Sequence, residues 1–124
     1  MPRILVTDDD PVQLHLRRQL LEAAGHEVAL ACDSPATLRQ LERNRPDLII
    51  MDLRLLNTGG EPDSREGLAL IRSIRQLDGR MPVVVLSGWP EELYGEPEEK
   101  MVSRVVVKPV RSRDLLNLID ELVA

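Results

Sequence analysis

Five short apolar runs alternate with longer stretches in which apolar residues recur every three or four positions. Aliphatic residues dominate each run, which is typical of parallel strands covered on both faces by helices. The runs are Arg3–Thr7, Glu27–Ala31, Leu48–Met51, Pro82–Leu86 and Arg104–Val107. Strands that alternate with helices predict an α/β fold, because right-handed crossovers place helices on both faces of a doubly wound, five-stranded parallel sheet.

Amphipathic stretches follow the first two runs. The first helix is predicted over Pro11–Ala24, with Asp10 as its N-cap. Its apolar residues at helical spacing are Val12, Leu16, Leu20 and Ala23. The second helix is predicted to begin with Ser34 as its cap and to end before Pro46.

Two further helices are predicted, from Glu66 to Leu77 and from Ser112 onward. The helix expected between the fourth and fifth strands is poorly encoded. Two prolines and a glycine interrupt Pro90–Val102, so we expect a short or irregular helix there. The segment Asn57–Arg65 contains no aliphatic or aromatic residue and is expected to be a solvated loop.

Composition narrows the class of protein. A chain of 124 residues with 43% hydrophobic and 30% charged residues fits one globular domain. A single cysteine excludes a disulfide framework and a cysteine-built zinc site. The net charge of −5 argues against nucleic-acid binding driven by phosphate charge. No apolar run approaches the ~20 residues that span a bilayer. We therefore expect a cytoplasmic protein that contacts neither nucleic acid nor membrane.

Polar side chains stand where the predicted strands end, which is where open α/β sheets bind ligands. These residues are Asp8, Asp9 and Asp10 after the first strand, Asp52 after the third, Ser87 after the fourth and Lys108 after the fifth. Carboxylates, a hydroxyl and an ammonium therefore converge on one edge of the sheet. The chain has only two lysines against 14 arginines, which gives a lysine at this edge added weight.

This set of groups favours phosphoryl chemistry. Oxygen ligands without a nearby histidine or thiol favour Mg²⁺ over zinc or copper. A carboxylate can act as a nucleophile and form an aspartyl-phosphate, while a metal and a lysine stabilise the charge on the phosphoryl oxygens. The sequence contains neither G-x-x-x-x-G-K-[ST] nor G-x-G-x-x-G, so ATP bound in a glycine-rich loop is not the expected donor.

The segments ILVTDDDP, LIIMDL, VVLSG and VVVKP occur in this order and resemble the receiver domain of two-component response regulators. The resemblance covers essentially the whole chain. It implies a flavodoxin-like (βα)5 fold and a single receiver domain over residues 1–124, with no output domain.

The resemblance also implies a Mg²⁺ site. Asp8 and Asp9 match the acidic pair that organises the metal, and Asp52 with the backbone carbonyl of Arg54 would complete it. Asp10 is predicted to be a helix cap and not a ligand.

The same resemblance implies roles in phosphoryl transfer. Asp52 is the phosphoacceptor, Ser87 the switch hydroxyl and Lys108 the phosphoryl contact. The implied donor is a histidine kinase or a histidine phosphotransfer protein. The domain would catalyse its own phosphorylation and a slow autodephosphorylation without turning over a separate substrate, and would act on a downstream protein partner. The sequence leaves homodimerisation open.

Three features depart from the family pattern. Val105 occupies the position, three before the lysine, where receivers usually carry an aromatic switch residue. Gly67 follows Asp52 by 15 residues, so the connecting loop is expanded. The broken fourth helix carries Glu91, Glu92, Glu96, Glu98 and Glu99. Its acidity favours a basic or specialised protein partner over DNA.

Two alternative functions are considered. A phosphorylation-independent interaction module, a receiver whose switch has decayed, is favoured by Val105 and by the expanded loop. A haloacid-dehalogenase-type phosphatase is suggested by D-x-D-x-[TV] at Asp8–Val12, with Asp8 as nucleophile and Asp10 as acid/base. Against this second alternative, the sequence lacks the acidic pair that should follow the lysine, and its 124 residues leave no room for a substrate cap.

Overall fold

The computed structural model describes residues 1–123. In chain order the elements are β1 (Arg3–Thr7), α1 (Pro11–Ala23), β2 (Glu27–Ala31), α2 (Ser34–Arg43), β3 (Leu48–Asp52), β4 (Leu55–Leu56), β5 (Pro62–Asp63), α3 (Ser64–Leu77), β6 (Val83–Ser87), β7 (Arg104–Val107) and α4 (Ser112–Val123). The main sheet has the order β2-β1-β3-β6-β7, and all of its neighbouring strands are parallel. The predicted doubly wound, five-stranded sheet is confirmed.

Neighbouring residues of the central strands face opposite cores. Leu5 and Ile49 belong to the core beneath α2 and α3, whereas Val6 and Ile50 belong to the core beneath α1 and α4. All four side chains are fully buried. Burying an aliphatic side chain contributes roughly 1.5–3 kcal/mol, so burial on both faces explains why these strands read as unbroken apolar runs.

Helix α1 begins as predicted but presents a different face to the core. The Asp10 carboxylate caps it by accepting a hydrogen bond from the Val12 amide at 2.9 Å. Leu14 and Leu21 are buried, whereas Val12 and Leu16 are 62% and 52% exposed. Ala23 is also exposed, and only Leu20 of the predicted stripe packs against the core, so the predicted core-facing side was wrong. Apolar residues occur on more than one side of this helix, and the direction in which it crosses the sheet decides which side is covered.

Two other helix starts differ from the prediction. Asp33, and not Ser34, caps α2, because its carboxylate accepts a hydrogen bond from the Ala36 amide at 2.8 Å. Helix α3 begins two residues earlier than predicted, at Ser64, and is capped by Asp63. In both cases an aspartate directly before the first helical turn supplies the acceptor.

The segment predicted to be a solvated loop forms a small antiparallel hairpin of β4 and β5. The Asn57 side-chain oxygen accepts hydrogen bonds from the amides of Gly59 and Glu61 at 2.9 and 3.1 Å. Gly60 has a φ of +79°, a conformation that suits glycine. The expansion is thus ordered by its own side-chain and backbone contacts.

The connection between β6 and β7 is irregular, as predicted. Two 3-10 helices, Pro90–Glu92 and Pro97–Met101, replace a regular helix, and Gly95 between them has a φ of +86°. Leu93 anchors the segment in the core at 0% exposure. Among residues 1–123, no helix has both the length and the apolar composition needed to cross a lipid bilayer.

Candidate functional site

The candidate site lies at the carboxyl ends of β1, β3 and β7. Asp8 and Asp9 follow β1, Asp52 ends β3 and Lys108 follows β7. Strands β1 and β3 are neighbours, and the helices that follow them pack in different cores on opposite faces of the sheet. This is the topological switch point at which open α/β sheets form a crevice.

A cleft of about 980 Å³ opens at this point. Five of the predicted site residues line it: Asp8, Asp9, Asp52, Arg54 and Lys108. Helix α1 forms one wall with Gln13, Leu16, Arg17 and Leu20. The exposed Leu16 of the misassigned helix face is therefore part of a cleft wall.

The three carboxylates of the cleft are close together. Asp8, Asp9 and Asp52 each offer an oxygen within 4.8 Å of the others. Burial raises the pKa of Asp52, and the Asp8 charge raises it further, while Lys108 opposes both. Burial and the hydrogen bond with Asp8 raise the pKa of Asp9. Both shifts follow from anions that are partly removed from water beside one another.

Two cations partly offset these charges. The Lys108 ammonium lies 3.2 Å from Asp52 Oδ2, and the Arg17 guanidinium lies 2.6 Å from Asp8 Oδ2. Asp8 is 1% exposed, and its Oδ1 accepts a hydrogen bond from the Asp10 amide at 3.0 Å. With all groups ionised, three carboxylates face two cations, and the cluster keeps a negative charge that attracts a further cation.

The donor set fits magnesium. All three clustered side chains offer carboxylate oxygens, and neither histidine nor thiol belongs to the cluster. Hard oxygen ligands of this kind suit Mg²⁺, which is bound through one or two carboxylates and retains several waters. The residual negative charge of the carboxylate cluster also favours binding of a cation.

Arg54 forms a clamp across the mouth of the cleft. Its guanidinium carbon lies 3.6 Å from the centroid of the half-exposed Trp89 ring, and its Nε donates to Glu92 at 2.7 Å. The hydrogen bond to Glu92 raises the pKa of Arg54, so the guanidinium stays charged over the ring. The clamp connects the loop after β3 to the segment after β6.

Ser87 ends β6, between β3 and β7, but its side chain does not line the cleft. It is 1% exposed, its Oγ accepts a hydrogen bond from the Trp89 amide at 2.9 Å, and it is not among the cleft-lining residues of the described chain. Val105 pairs with Val85 in the sheet and packs partly buried against the core that contains Leu93. The position of the family's aromatic switch residue is thus an aliphatic contact.

Gly67 lets α3 approach the backbone beside Asp52. A Cβ at this position would lie 2.0 Å from the carbonyl oxygen of Leu53, which no side chain can tolerate. The glycine therefore supports the loop that carries the predicted phosphoacceptor, and the early part of α3 packs directly on that loop.

Arg17 is the site residue that the sequence did not single out. Gln13 and Arg17 are one helical turn apart on α1, and both line the cleft. Long side chains on a helix lean toward its N-terminus, which brings Arg17 back to the strand end. The sequence signal that could have identified Arg17 is its position on α1, one helical turn after Gln13 and two turns after the Asp10 cap. Asp10 itself caps α1 and is exposed, as the capping interpretation predicted.

Comparison with known proteins identifies the family. Residues 4–120 match the family model described as the response regulator receiver domain. The chain belongs to this family. Receiver domains act in two-component phosphorelay signalling, in which they take a phosphoryl group from a histidine kinase.

Individual relatives agree with this assignment. The transcriptional regulatory protein PrrA of Mycobacterium tuberculosis is 36% identical over 86 residues, covering 69% of this chain and 34% of that protein. The virulence transcriptional regulatory protein PhoP of Salmonella typhimurium is 35% identical over 96 residues, covering 75% and 40%. The chain thus spans well under half the length of these relatives.

A solved structure supports the fold. The response regulator receiver domain protein from Clostridium thermocellum superimposes with a TM-score of 0.86 at 25% identity, covering 99% of this chain and 94% of that one. The flavodoxin-like receiver fold implied by the sequence resemblance is confirmed.

Proposed function

We propose that this receiver domain accepts a phosphoryl group on Asp52 in a Mg²⁺-dependent step, with a histidine kinase or histidine phosphotransfer protein as donor. One observation carries the proposal. Asp8, Asp9 and Asp52 offer oxygens within 4.8 Å of one another, and Lys108 lies 3.2 Å from Asp52. A nucleophilic carboxylate, a site for a divalent cation and a fixed ammonium are therefore available in one cleft.

The transfer is a single displacement at phosphorus. A carboxylate oxygen of Asp52 forms the new O–P bond while the N–P bond of the donor phosphohistidine breaks. The departing imidazole keeps the electron pair and takes up a proton from solvent. The Lys108 ammonium stabilises the negative charge on the transferred phosphoryl oxygens. Slow attack of water at phosphorus then breaks the O–P bond to Asp52, releasing inorganic phosphate and the free carboxylate.

Asp8, Asp9, Asp52 and the backbone carbonyl of Arg54 would hold the metal. A bound Mg²⁺ supplies charge neutralisation at the phosphoryl oxygens. Burial already raises the pKa of Asp52, which marks its ionised form as costly in this cleft. Pairing with Lys108 opposes that effect and favours the anionic form of the nucleophile.

The switch differs from the usual one. Ser87 is the hydroxyl that turns toward the phosphoryl group, and doing so ends its hydrogen bond with the Trp89 amide. Because Val105 offers no aromatic ring, we assign the readout to Trp89 and to the acidic 3-10 segment that follows it. A basic surface on a downstream protein would complement that segment.

Intact-mass measurement after acid quenching tests the proposal. The chain is incubated with acetyl phosphate, with and without Mg²⁺. Wild type is expected to gain one phosphoryl group only with Mg²⁺, Asp52→Asn to gain none, and Asp8→Asn to react more slowly. Asp114→Asn, which removes an exposed carboxylate in the first turn of α4, serves as the matched control and should behave like wild type. An adduct that persists in Asp52→Asn contradicts the proposal.

A phosphorylation-independent interaction module is the second candidate, favoured by Val105 in the switch position. It predicts that wild type and Asp52→Asn bind a captured partner equally, with or without acetyl phosphate. Phosphorylation-dependent binding, lost in Asp52→Asn, excludes this candidate.

A further inference from the structure

Arg17 forms the shortest ion pair of the cleft. Together with Lys108 it offsets the negative charge of the clustered carboxylates. Its guanidinium Nη1 lies 2.6 Å from Asp8 Oδ2, and the two side chains are 11% and 2% exposed. Such a pair is largely shielded from water, and charges interact more strongly in the low-dielectric interior than in water. Surface pairs such as Arg65–Asp63, at 3.6 Å with an 88% exposed arginine, are different in kind.

Both oxygens of the Asp8 carboxylate already accept a hydrogen bond. Oδ1 accepts from the Asp10 amide at 3.0 Å and Oδ2 accepts from Arg17. Each oxygen keeps a further lone pair, so a divalent cation that uses Asp8 must either share this carboxylate with the Arg17 guanidinium or displace it. Sharing places two positive groups on one carboxylate, and displacement removes a buried charge-assisted hydrogen bond.

The two cations that pair with the clustered carboxylates differ in what they can do. Lys108 pairs with Asp52, the proposed phosphoacceptor, and can follow the charge onto the phosphoryl group. Arg17 lies on α1 and pairs with a carboxylate that is not the proposed nucleophile. Its charge also reaches Asp52, whose pKa it lowers. Arg17 therefore opposes a metal at two of the three clustered carboxylates.

We propose that Arg17 is a positioning residue that competes with Mg²⁺ for Asp8 and weakens metal binding in this receiver domain. The inference rests on the proposed Mg²⁺ site. In the resting cleft Arg17 already neutralises part of the Asp8 charge, so a metal that binds Asp8 must share this carboxylate with Arg17 or displace it.

Nuclear magnetic resonance titration with Mg²⁺ tests this competition without reference to phosphorylation. Amide shifts of Asp8, Asp9 and Asp52 give the Kd for wild type, Arg17→Met, Arg17→Gln and Arg17→Lys. The neutral variants are expected to bind Mg²⁺ about tenfold more tightly than wild type, a change equivalent to about 1.4 kcal/mol. Arg17→Lys retains the charge and should bind about as weakly as wild type.

Arg18→Met is the matched control. It removes the same charge from the next position of α1 and keeps the Arg17–Asp8 pair. Its Kd should equal that of wild type. The Arg17 Nε–H resonance of wild type should also shift on saturation with Mg²⁺, because the cation changes the surroundings of the guanidinium that pairs with Asp8. Two neutral variants are used so that one that folds poorly does not decide the outcome.

The outcomes separate the two proposals. Equal or weaker Mg²⁺ binding by the neutral variants, with wild type saturating normally, overturns the role of Arg17 and leaves the metal site intact. Absence of Mg²⁺-dependent shifts in wild type and in every Arg17 variant overturns both the metal site and the competition.

Discussion

After β1 the chain enters a regular helix of 13 residues, α1, whereas after β6 it passes through 3-10 helices of three and five residues. Both segments border the same cleft: α1 contributes Arg17, and the segment after β6 contributes Trp89. The first wall is fixed by the buried Leu14 and Leu21. The second relies on the fully buried Leu93, on the partly buried Met101 and Val102, and on polar contacts from α3.

Two of these polar contacts are hydrogen bonds from arginines of α3. Arg72 donates to Glu98 at 2.8 Å, and Arg75 Nε donates to the Met101 carbonyl at 2.6 Å. Apolar packing resists displacement as a whole, whereas a segment held by separate hydrogen bonds can be released contact by contact. We therefore expect the more rigid part of the cleft at α1 and, under the proposed function, the part that responds to phosphorylation after β6.

The largest expected effect compares one buried leucine from each wall. Leu→Ala in a core costs about 2–5 kcal/mol, depending on how far the surroundings collapse. Leu21→Ala, on the buried face of the regular helix α1, is expected to cost about 4 kcal/mol, and Leu93→Ala, in an irregular segment that can close the gap, about 2 kcal/mol. Urea unfolding followed by circular dichroism measures both. Equal losses, or a larger loss for Leu93→Ala, contradict the comparison.

The next effect concerns the ion pair that fastens the second wall. Glu98 is 4% exposed, and the hydrogen bond from Arg72 lowers its pKa. Glu98→Gln should cost about 1–2 kcal/mol at neutral pH, because a charge-assisted bond is lost while Arg72 remains half in water.

The same pair predicts a pH dependence. A lowered pKa in the folded state stabilises the fold above the unfolded value of about 4.3, and this contribution disappears as pH falls through the folded pKa. The difference between wild type and Glu98→Gln in urea unfolding should be constant from pH 7 to about 5 and shrink below about 4. Glu96→Gln, at an exposed position of the same segment, is the control. A difference that does not change with pH rules out the pairing as its source.

The smallest effect is local to the clamp between the walls. Arg54→Met removes the guanidinium stacked on Trp89 and leaves the ring more accessible. Because Trp89 is the only tryptophan, its fluorescence reports the change directly, and acrylamide quenching should increase. Arg65→Met, which removes an exposed guanidinium from the first turn of α3, should leave quenching unchanged. Unaltered quenching in Arg54→Met means that the stacking does not persist in solution.

The same contrast explains what could be predicted from the sequence. Strand ends follow from aliphatic runs, so the convergence of Asp8, Asp52 and Lys108 was predictable before any coordinates. The Arg17–Asp8 pair was not, because it depends on the rotation of α1, and the apolar stripe of that helix pointed to the wrong face. The hydrogen bonding inside the β4–β5 hairpin could not be predicted either, since the Asn57 side-chain oxygen accepts from two backbone amides there.

The most direct test of the central claim is to locate the phosphoryl group itself. The chain is treated with acetyl phosphate and Mg²⁺, the acyl phosphate is reduced with borohydride, and the modified residue is identified by peptide mass spectrometry. The account predicts modification of Asp52 alone, at a level that falls when Mg²⁺ is withheld. Modification of Asp8 or Asp9, or an unmodified Asp52 under conditions in which another carboxylate reacts, would contradict it.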